Sequence, residues 1–249
     1  MKKTKSFKAA LALVTGGLMT AAMAACSPDE PTNEITKKLH EDPFKAILTL
    51  QEGELSGSQF NANPRMTDFK SSIQPAQQIV WETIPGKGWQ ITSTDKGFKV
   101  KDFKTHPNVV YSLKFDYYNV NGTSMNHQFF DNGQDKIHQH FFSVYREIIA
   151  PDGTVGNRRE TKKENLPFDY NYADEYNGNY IADTNPMGFQ GFIRFLQPDT
   201  EFHLNIELLH APKSKLEDNG KPSPFYLPSK TNLSTGLWDI VIAVPVRIE

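Results

Sequence analysis

Apolar and polar residues alternate with a period of two along much of this chain, and this alternation predicts β-strands. In the clearest case, residues 109–120, Leu113, Phe115 and Tyr117 would share one face, with Lys114 on the other. Because successive strand residues point to opposite faces, such a segment buries one face against a core. Further strands are predicted over residues 46–50, 78–84, 89–94, 137–149, 189–196, 202–210 and 238–248.

The pattern predicts an all-β fold, a β-sandwich, and a shift of 91 residues suggests that it is built from two tandem repeats. That shift places Gly97-Phe98 on Gly188-Phe189 and aligns the alternating segment 111–117 with 202–208. Regularly spaced strands with Gly and Pro turns are typical of sandwiches. Pro245 cannot donate a ladder hydrogen bond, so the last strand is expected at an edge or bulged. The predicted units are repeat one, residues 44–135, and repeat two with a closing strand, residues 136–249.

The first 25 residues predict a secretory signal peptide. A lysine-rich start precedes an apolar stretch too short to span a membrane, and small residues follow, ending at Cys26. Residues 26–43 are polar and contain prolines, which is typical of a flexible tether.

Met23-Ala24-Ala25-Cys26 resembles the lipobox of bacterial lipoproteins. The resemblance implies cleavage before Cys26 and a lipid such as palmitate on this residue, which would attach the protein to a membrane. Ser27, in place of Asp, implies the outer membrane. The acidic residues after it, Asp29, Glu30 and Glu34, resemble the export tag of surface lipoproteins in Bacteroidetes-type bacteria, and so imply the cell surface.

Composition narrows the choice of partners. Without the four lysines of residues 1–25, 23 basic side chains face 29 acidic ones, so no basic surface for nucleic acid is expected. Cys26 is the only cysteine, which excludes an intrachain disulfide.

Three of the seven histidines lie within residues 127–140, where we predict a metal site. His138 and His140 would point to the same side of one strand, and a hairpin turn at residues 131–133 would bring His127 beside them. Three imidazoles suit zinc or copper, and Met125 as a further soft ligand would favour copper. If the same set opened onto a pocket lined by phenylalanines, it could instead ligate haem iron.

Histidines on half-buried strands also serve as hydrogen-bonded packing residues, and that alternative stays open here. His203 and Glu207 are a second possible polar pair. We expect His106 and His210 at the surface and His40 in the tether.

No nucleophile elbow, P-loop, zinc-protease or calcium-loop motif occurs, so we expect a binding protein rather than an enzyme. The leading hypothesis is a lipid-anchored cell-surface protein that captures a transition metal or haem for an outer-membrane transporter. One alternative is a glycan-binding or adhesive module, and another is a structural lipoprotein without a small ligand. The glycan platform would be formed by Tyr170, Tyr172, Tyr176 and Tyr180 on a surface loop.

Overall fold

Strands dominate the computed structural model, which describes residues 39–57 and 59–249, and the all-β prediction is confirmed. The predicted signal peptide, Cys26 and the tether up to residue 38 lie outside the described residues. Within the described part, no helix has the length and apolar character needed to cross a membrane. In chain order the strands are β1 (Lys45–Leu55), β2 (Phe69–Ser71), β3 (Gln77–Ile84), β4 (Gly88–Ile91), β5 (Phe98–Val100), β6 (Val110–Tyr118), β7 (His138–Ser143), β8 (Tyr145–Ile149), β9 (Val155–Arg159), β10 (Phe168–Tyr172), β11 (Glu175–Tyr176), β12 (Asn179–Tyr180), β13 (Gln190–Phe195), β14 (Thr200–His210) and β15 (Leu237–Ile248).

These strands form two larger sheets and two separate hairpins. The first sheet has the order β10-β13-β6-β1-β3-β4, with β2 also paired to β1, and all its pairs are antiparallel. The second sheet has the order β5-β15-β14-β7, in which β5 runs parallel to β15. One hairpin joins β8 to β9 and the other joins β11 to β12. A short helix α1 (Lys230–Thr235) precedes β15, and 3₁₀ turns cover Met66–Asp68, Asn126–Phe129, Asp131–Lys136 and Lys163–Asn165.

One continuous core takes side chains from both larger sheets, as a sandwich requires. Leu48 and Leu113 come from the first sheet, and Ile206 and Val244 come from the second. The predicted face of β6 is buried throughout, while Lys114 on the opposite face is exposed. The alternation therefore identified correctly which side of β6 faces the core.

The structure differs from the sequence-based predictions in two features of strand organisation. The predicted strand at residues 137–149 is divided: β7 is buried on both faces, whereas β8 is exposed and pairs only with β9 among the described strands. Strands from both predicted repeats mix, because β5 joins the second sheet while β10 and β13 complete the first. The described residues from 39 to 249 belong to one compact unit, so position 135/136 does not divide them into two sandwiches. The duplication itself stays a prediction.

Candidate metal centre

Two histidines face each other across neighbouring strands of the second sheet. His138 is the first residue of β7, and it lies directly opposite His210, the last residue of β14. Directly opposed residues of an antiparallel pair project to the same side of the sheet. The strand register therefore brings together two imidazoles that are far apart in the sequence.

A β-bulge in β15 adds a carboxylate to this pair. Leu208 lies opposite Ile240 and Leu209 lies opposite Trp238, so Asp239 is the extra residue on the bulged strand. A bulge of this kind changes the direction of the local side chains. It brings the Asp239 carboxylate to the end of the sheet where the two histidines lie.

The fourth member, His40, comes from the segment that leads into β1. The sequence places His40 in a flexible tether, but residues 39–43 belong to the folded unit and the His40 side chain is fully buried. Its ring contacts the rings of His138 and His210, with centroids 4.8 and 5.5 Å apart. The expected boundary at residue 43 is therefore too late, and His40 is part of the site.

The donor atoms of these four residues, the four-ligand cluster, converge on one point. His138 Nε2 lies 3.1 Å from both His40 Nε2 and Asp239 Oδ2, and His40 Nε2 lies 3.3 Å from Asp239 Oδ2. His210 Nδ1 lies 3.4 Å from both His40 Nε2 and Asp239 Oδ2. All four donor atoms lie within 4.8 Å of one another, so the cluster could hold a metal ion.

Hydrogen bonds on the outer side of two rings determine which nitrogen faces the centre. His138 Nδ1 donates to the carbonyl oxygen of Gln134 at 2.9 Å, and His40 Nδ1 donates to the carbonyl oxygen of Glu41 at 2.9 Å. A carbonyl can only accept, so in each neutral ring the proton is on Nδ1 and Nε2 carries a lone pair. Metal-ligating histidines typically donate their other ring N–H to a carbonyl or carboxylate in this way.

The site is almost closed to solvent. His138 is fully buried, the Asp239 side chain is 4% exposed, and that of His210 is 18% exposed. Phe129 packs against the rings of His40 and His138. Burial lowers the pKa of His138, although the hydrogen bond that the protonated ring would donate to Asp239 opposes this shift. Two buried lone pairs 3.1 Å apart repel each other unless a proton or a cation lies between them.

The distances between the donor atoms can be compared with the distances between ligand atoms around a tetrahedral zinc ion. Zinc–nitrogen and zinc–oxygen bonds of about 2.0–2.1 Å place neighbouring ligand atoms roughly 3.3–3.4 Å apart at tetrahedral angles. Five donor–donor distances in the four-ligand cluster fall between 3.1 and 3.4 Å. The cluster therefore fits a four-coordinate ion with shifts of a few tenths of an ångström along these five edges.

Neighbouring groups hold His138 in place. The segment at residues 131–136 forms a 3₁₀ turn kinked at Asn132 and Gly133, both with positive φ, and this turn supplies the Gln134 carbonyl. On the other side of the strand, the buried Lys215 amine donates to the carbonyl oxygen of His138 at 3.0 Å. Burial lowers the pKa of Lys215 to about 7.

His140, predicted as a ligand, has a different role. Its Nδ1 donates to the carbonyl oxygen of Met187 at 2.9 Å, and its Nε2 accepts from the Tyr117 hydroxyl at 2.6 Å. The ring stacks on Phe115, with centroids 4.8 Å apart. Burial lowers the pKa of His140 to about 3, so it stays neutral. With both ring nitrogens engaged, His140 is a packing residue outside the four-ligand cluster.

His127 and Met125 are not brought to His138 as predicted. In place of a hairpin, two consecutive 3₁₀ turns follow β6, and β6 and β7 lie in different sheets. His127 is exposed, and Met125 is buried in the core. Of the four predicted ligands, the four-ligand cluster contains His138 alone.

The second predicted pair, His203 and Glu207, is also separated. Glu207 is buried and forms an ion pair with Arg159, and its carboxylate accepts from the Tyr145 hydroxyl at 2.8 Å. His203 is exposed. The buried carboxylate is therefore explained by its ion pair and hydrogen bond.

The tyrosines predicted as a glycan platform are mostly interior. Tyr170 and Tyr172 lie on β10 in the core, and Tyr170 stacks on Phe142 with centroids 4.0 Å apart. Tyr176 and Tyr180 are partly buried against the same core. Core packing therefore uses the ring faces that a glycan would need, and this corrects the expected surface loop.

Comparisons with protein-family models, with curated proteins and with solved structures gave no match to this chain. The geometry of the four-ligand cluster is therefore the basis for a functional assignment.

Proposed function

We propose that this protein binds one transition metal ion, zinc, through His40, His138, His210 and Asp239. The observation that carries this proposal is the convergence of three imidazole nitrogens and one carboxylate oxygen at near-tetrahedral spacing. A cation also resolves the repulsion between the two lone pairs that the Gln134 and Glu41 carbonyls direct inward.

The donor set favours zinc over copper and haem. Imidazole and carboxylate ligands in a closed four-coordinate arrangement are typical of zinc, whereas copper sites often add a thioether. Met125, the predicted thioether ligand, is buried in the hydrophobic core. Haem iron takes axial protein ligands only, so four convergent protein donors suit a bare ion better.

The arrangement supports capture or storage of the ion rather than catalysis. Catalytic zinc sites keep one coordination position for water or substrate, whereas here four protein donors fill a tetrahedron. Together with the lipobox-like sequence at Cys26, this leads us to propose a lipid-anchored outer-membrane protein that takes up zinc at the cell surface. Delivery to an outer-membrane transporter is part of the same proposal.

Elemental analysis of the purified full-length chain after incubation with zinc tests the proposal. We expect close to one zinc per chain in the wild type and in His127→Ala, and a large loss in His138→Ala. His127→Ala is the matched control because His127 is an exposed histidine of the same region. Loss of zinc in His127→Ala with retention in His138→Ala would contradict the assignment. Absence of zinc from the wild type would leave the cluster as a hydrogen-bonded packing network.

A further inference from the structure

The four ligands differ in how firmly the fold holds them. His138, His210 and Asp239 lie on β7, β14 and β15, three adjacent strands joined by ladder hydrogen bonds. His40 lies outside this sheet, in residues 39–43, which we call the strap. The strap leads into β1, whose neighbours are in the other larger sheet. Three ligands are therefore built into one sheet, and the fourth reaches them from a different part of the chain.

The hydrogen bonds that join Glu41 of the strap to Gln128 and Asn119 are exposed. The Glu41 amide donates to Gln128 Oε1 at 2.9 Å, and the Glu41 carboxylate accepts from Gln128 at 3.3 Å and from Asn119 at 3.2 Å. Exposed hydrogen bonds compete with water and contribute little net stability. In contrast, the buried His40 ring makes its polar contacts within the four-ligand cluster and to the adjacent Glu41 carbonyl.

We propose that His40 is the exchangeable ligand, and that the strap controls entry and release of the ion. This inference rests on the proposed zinc site. Zinc first binds the three ligands of the sheet, and the strap then closes on it through His40 Nε2. Opening the strap exposes one coordination position while three ligands still hold the ion.

Release is then a ligand exchange without redox chemistry. The bond from zinc to His40 Nε2 breaks, and a bond forms to an imidazole or thiolate of the acceptor. His40 leaves as a neutral ring, because its proton remains on Nδ1, where it is donated to the Glu41 carbonyl. The strap is the last part of the segment predicted as a tether, so occupancy of the site also holds residues 39–43 against the folded domain.

Two measurements on the full-length chain test the inference, with zinc alone as the ligand. Amide hydrogen exchange compares residues 39–42 of the strap with and without zinc, because exchange reports local opening. Transfer of zinc to a chromogenic chelator gives the release rate for the wild type and for His40→Ala. Gln128→Ala, which removes two exposed hydrogen bonds to Glu41 and no ligand, is the second variant, and His127→Ala is the control.

We expect zinc to protect residues 39–42 from exchange in the wild type. His40→Ala should still bind one zinc but release it faster by at least about tenfold, the lower end of the effect of losing even an outer-shell partner. Gln128→Ala should also release zinc faster, whereas His127→Ala should match the wild type.

Three results would overturn the inference in distinguishable ways. If the wild type binds zinc but exchange at residues 39–42 does not change, the strap does not respond to the ion. If Gln128→Ala and His40→Ala both release zinc at the wild-type rate, His40 is not the exchangeable ligand. If the wild type binds no zinc, the proposed function fails as well.

Discussion

Zinc should raise the melting temperature of this protein by an amount that follows from the ratio of the zinc concentration to its Kd and from the size of the domain. An ion present at 100 times its Kd stabilises the folded state by about 2.7 kcal/mol. The described domain spans residues 39–249, and for a domain of this size 1 kcal/mol shifts the melting temperature by about 2–4 °C. We therefore expect a rise of about 5–11 °C in the wild type.

Asp239→Asn provides the sharpest perturbation, because it removes the carboxylate charge with little change in volume. If the loss of this ligand weakens binding by about tenfold, the same zinc concentration equals about 10 Kd and stabilises by about 1.4 kcal/mol. The zinc-induced rise should then fall to roughly half. His138→Ala should show almost no zinc-induced rise, since it removes a fully buried ligand that is fixed on β7.

The assay is differential scanning calorimetry with zinc and with excess chelator, for the wild type, Asp239→Asn and His127→Ala. His127→Ala should retain the full rise, because that side chain is exposed and lies outside the four-ligand cluster. Equal rises in the wild type and Asp239→Asn would refute the reasoning, as would a rise abolished by His127→Ala.

Three further predictions concern the groups that support the site. Asp174→Ala should lower the free energy of unfolding, measured in urea, by about 3–5 kcal/mol, because this buried carboxylate accepts hydrogen bonds from four consecutive backbone N–H groups. A loss below about 1 kcal/mol would contradict this prediction. Gly188→Ala should lower the free energy of unfolding by about 1–3 kcal/mol more than Gly220→Ala does. Both glycines have a φ of +76°, but only at position 188 would the added Cβ lie 2.7 Å from His140, so equal losses would exclude a clash. Tyr117→Phe should lower the free energy of unfolding by about 1–3 kcal/mol, because His140 Nε2 loses the hydroxyl that donates to it. The zinc content of this variant in elemental analysis should stay unchanged. Loss of zinc in that variant would instead connect Tyr117 with the site.

The strands could be predicted because the alternation that specifies them is local. In β6, each residue's environment depends on its position in the pleat, and the predicted inner face is buried from Tyr111 to Tyr117. Which sheet a strand joins is a long-range property, and the sequence does not encode it as a pattern. For this reason β5 and β13 are found in sheets that the repeat hypothesis does not anticipate.

The site could be predicted only in part, for the same physical reason. The alternation on β7 selected His138 and His140 equally, but both nitrogens of His140 are engaged, one by the Tyr117 hydroxyl that donates to it and one by the Met187 carbonyl that accepts from it. His40 and His210, which contact each other, are 170 positions apart in the chain. No short motif could reveal such a contact.

The carboxylate was harder still to predict. Asp239 reaches the histidines because β15 is bulged, and a bulge or edge position was expected on account of Pro245. The bulge lies six residues earlier, at Asp239, and Pro245 pairs in register with His203. The available sequence signal indicated an irregular strand without locating the irregularity.

The proposed zinc site would also stabilise the folded domain without a disulfide. Cys26 is the only cysteine of the chain, so no intrachain disulfide can form. Zinc held by His40, His138 and Asp239 would connect a segment before β1 to strands roughly 100 and 200 residues later. Closing such long loops constrains the unfolded chain most strongly, and structural zinc contributes folding energy directly. In contrast to a disulfide, this connection can be opened by ligand exchange at His40, so stability and release of the ion depend on the same contact.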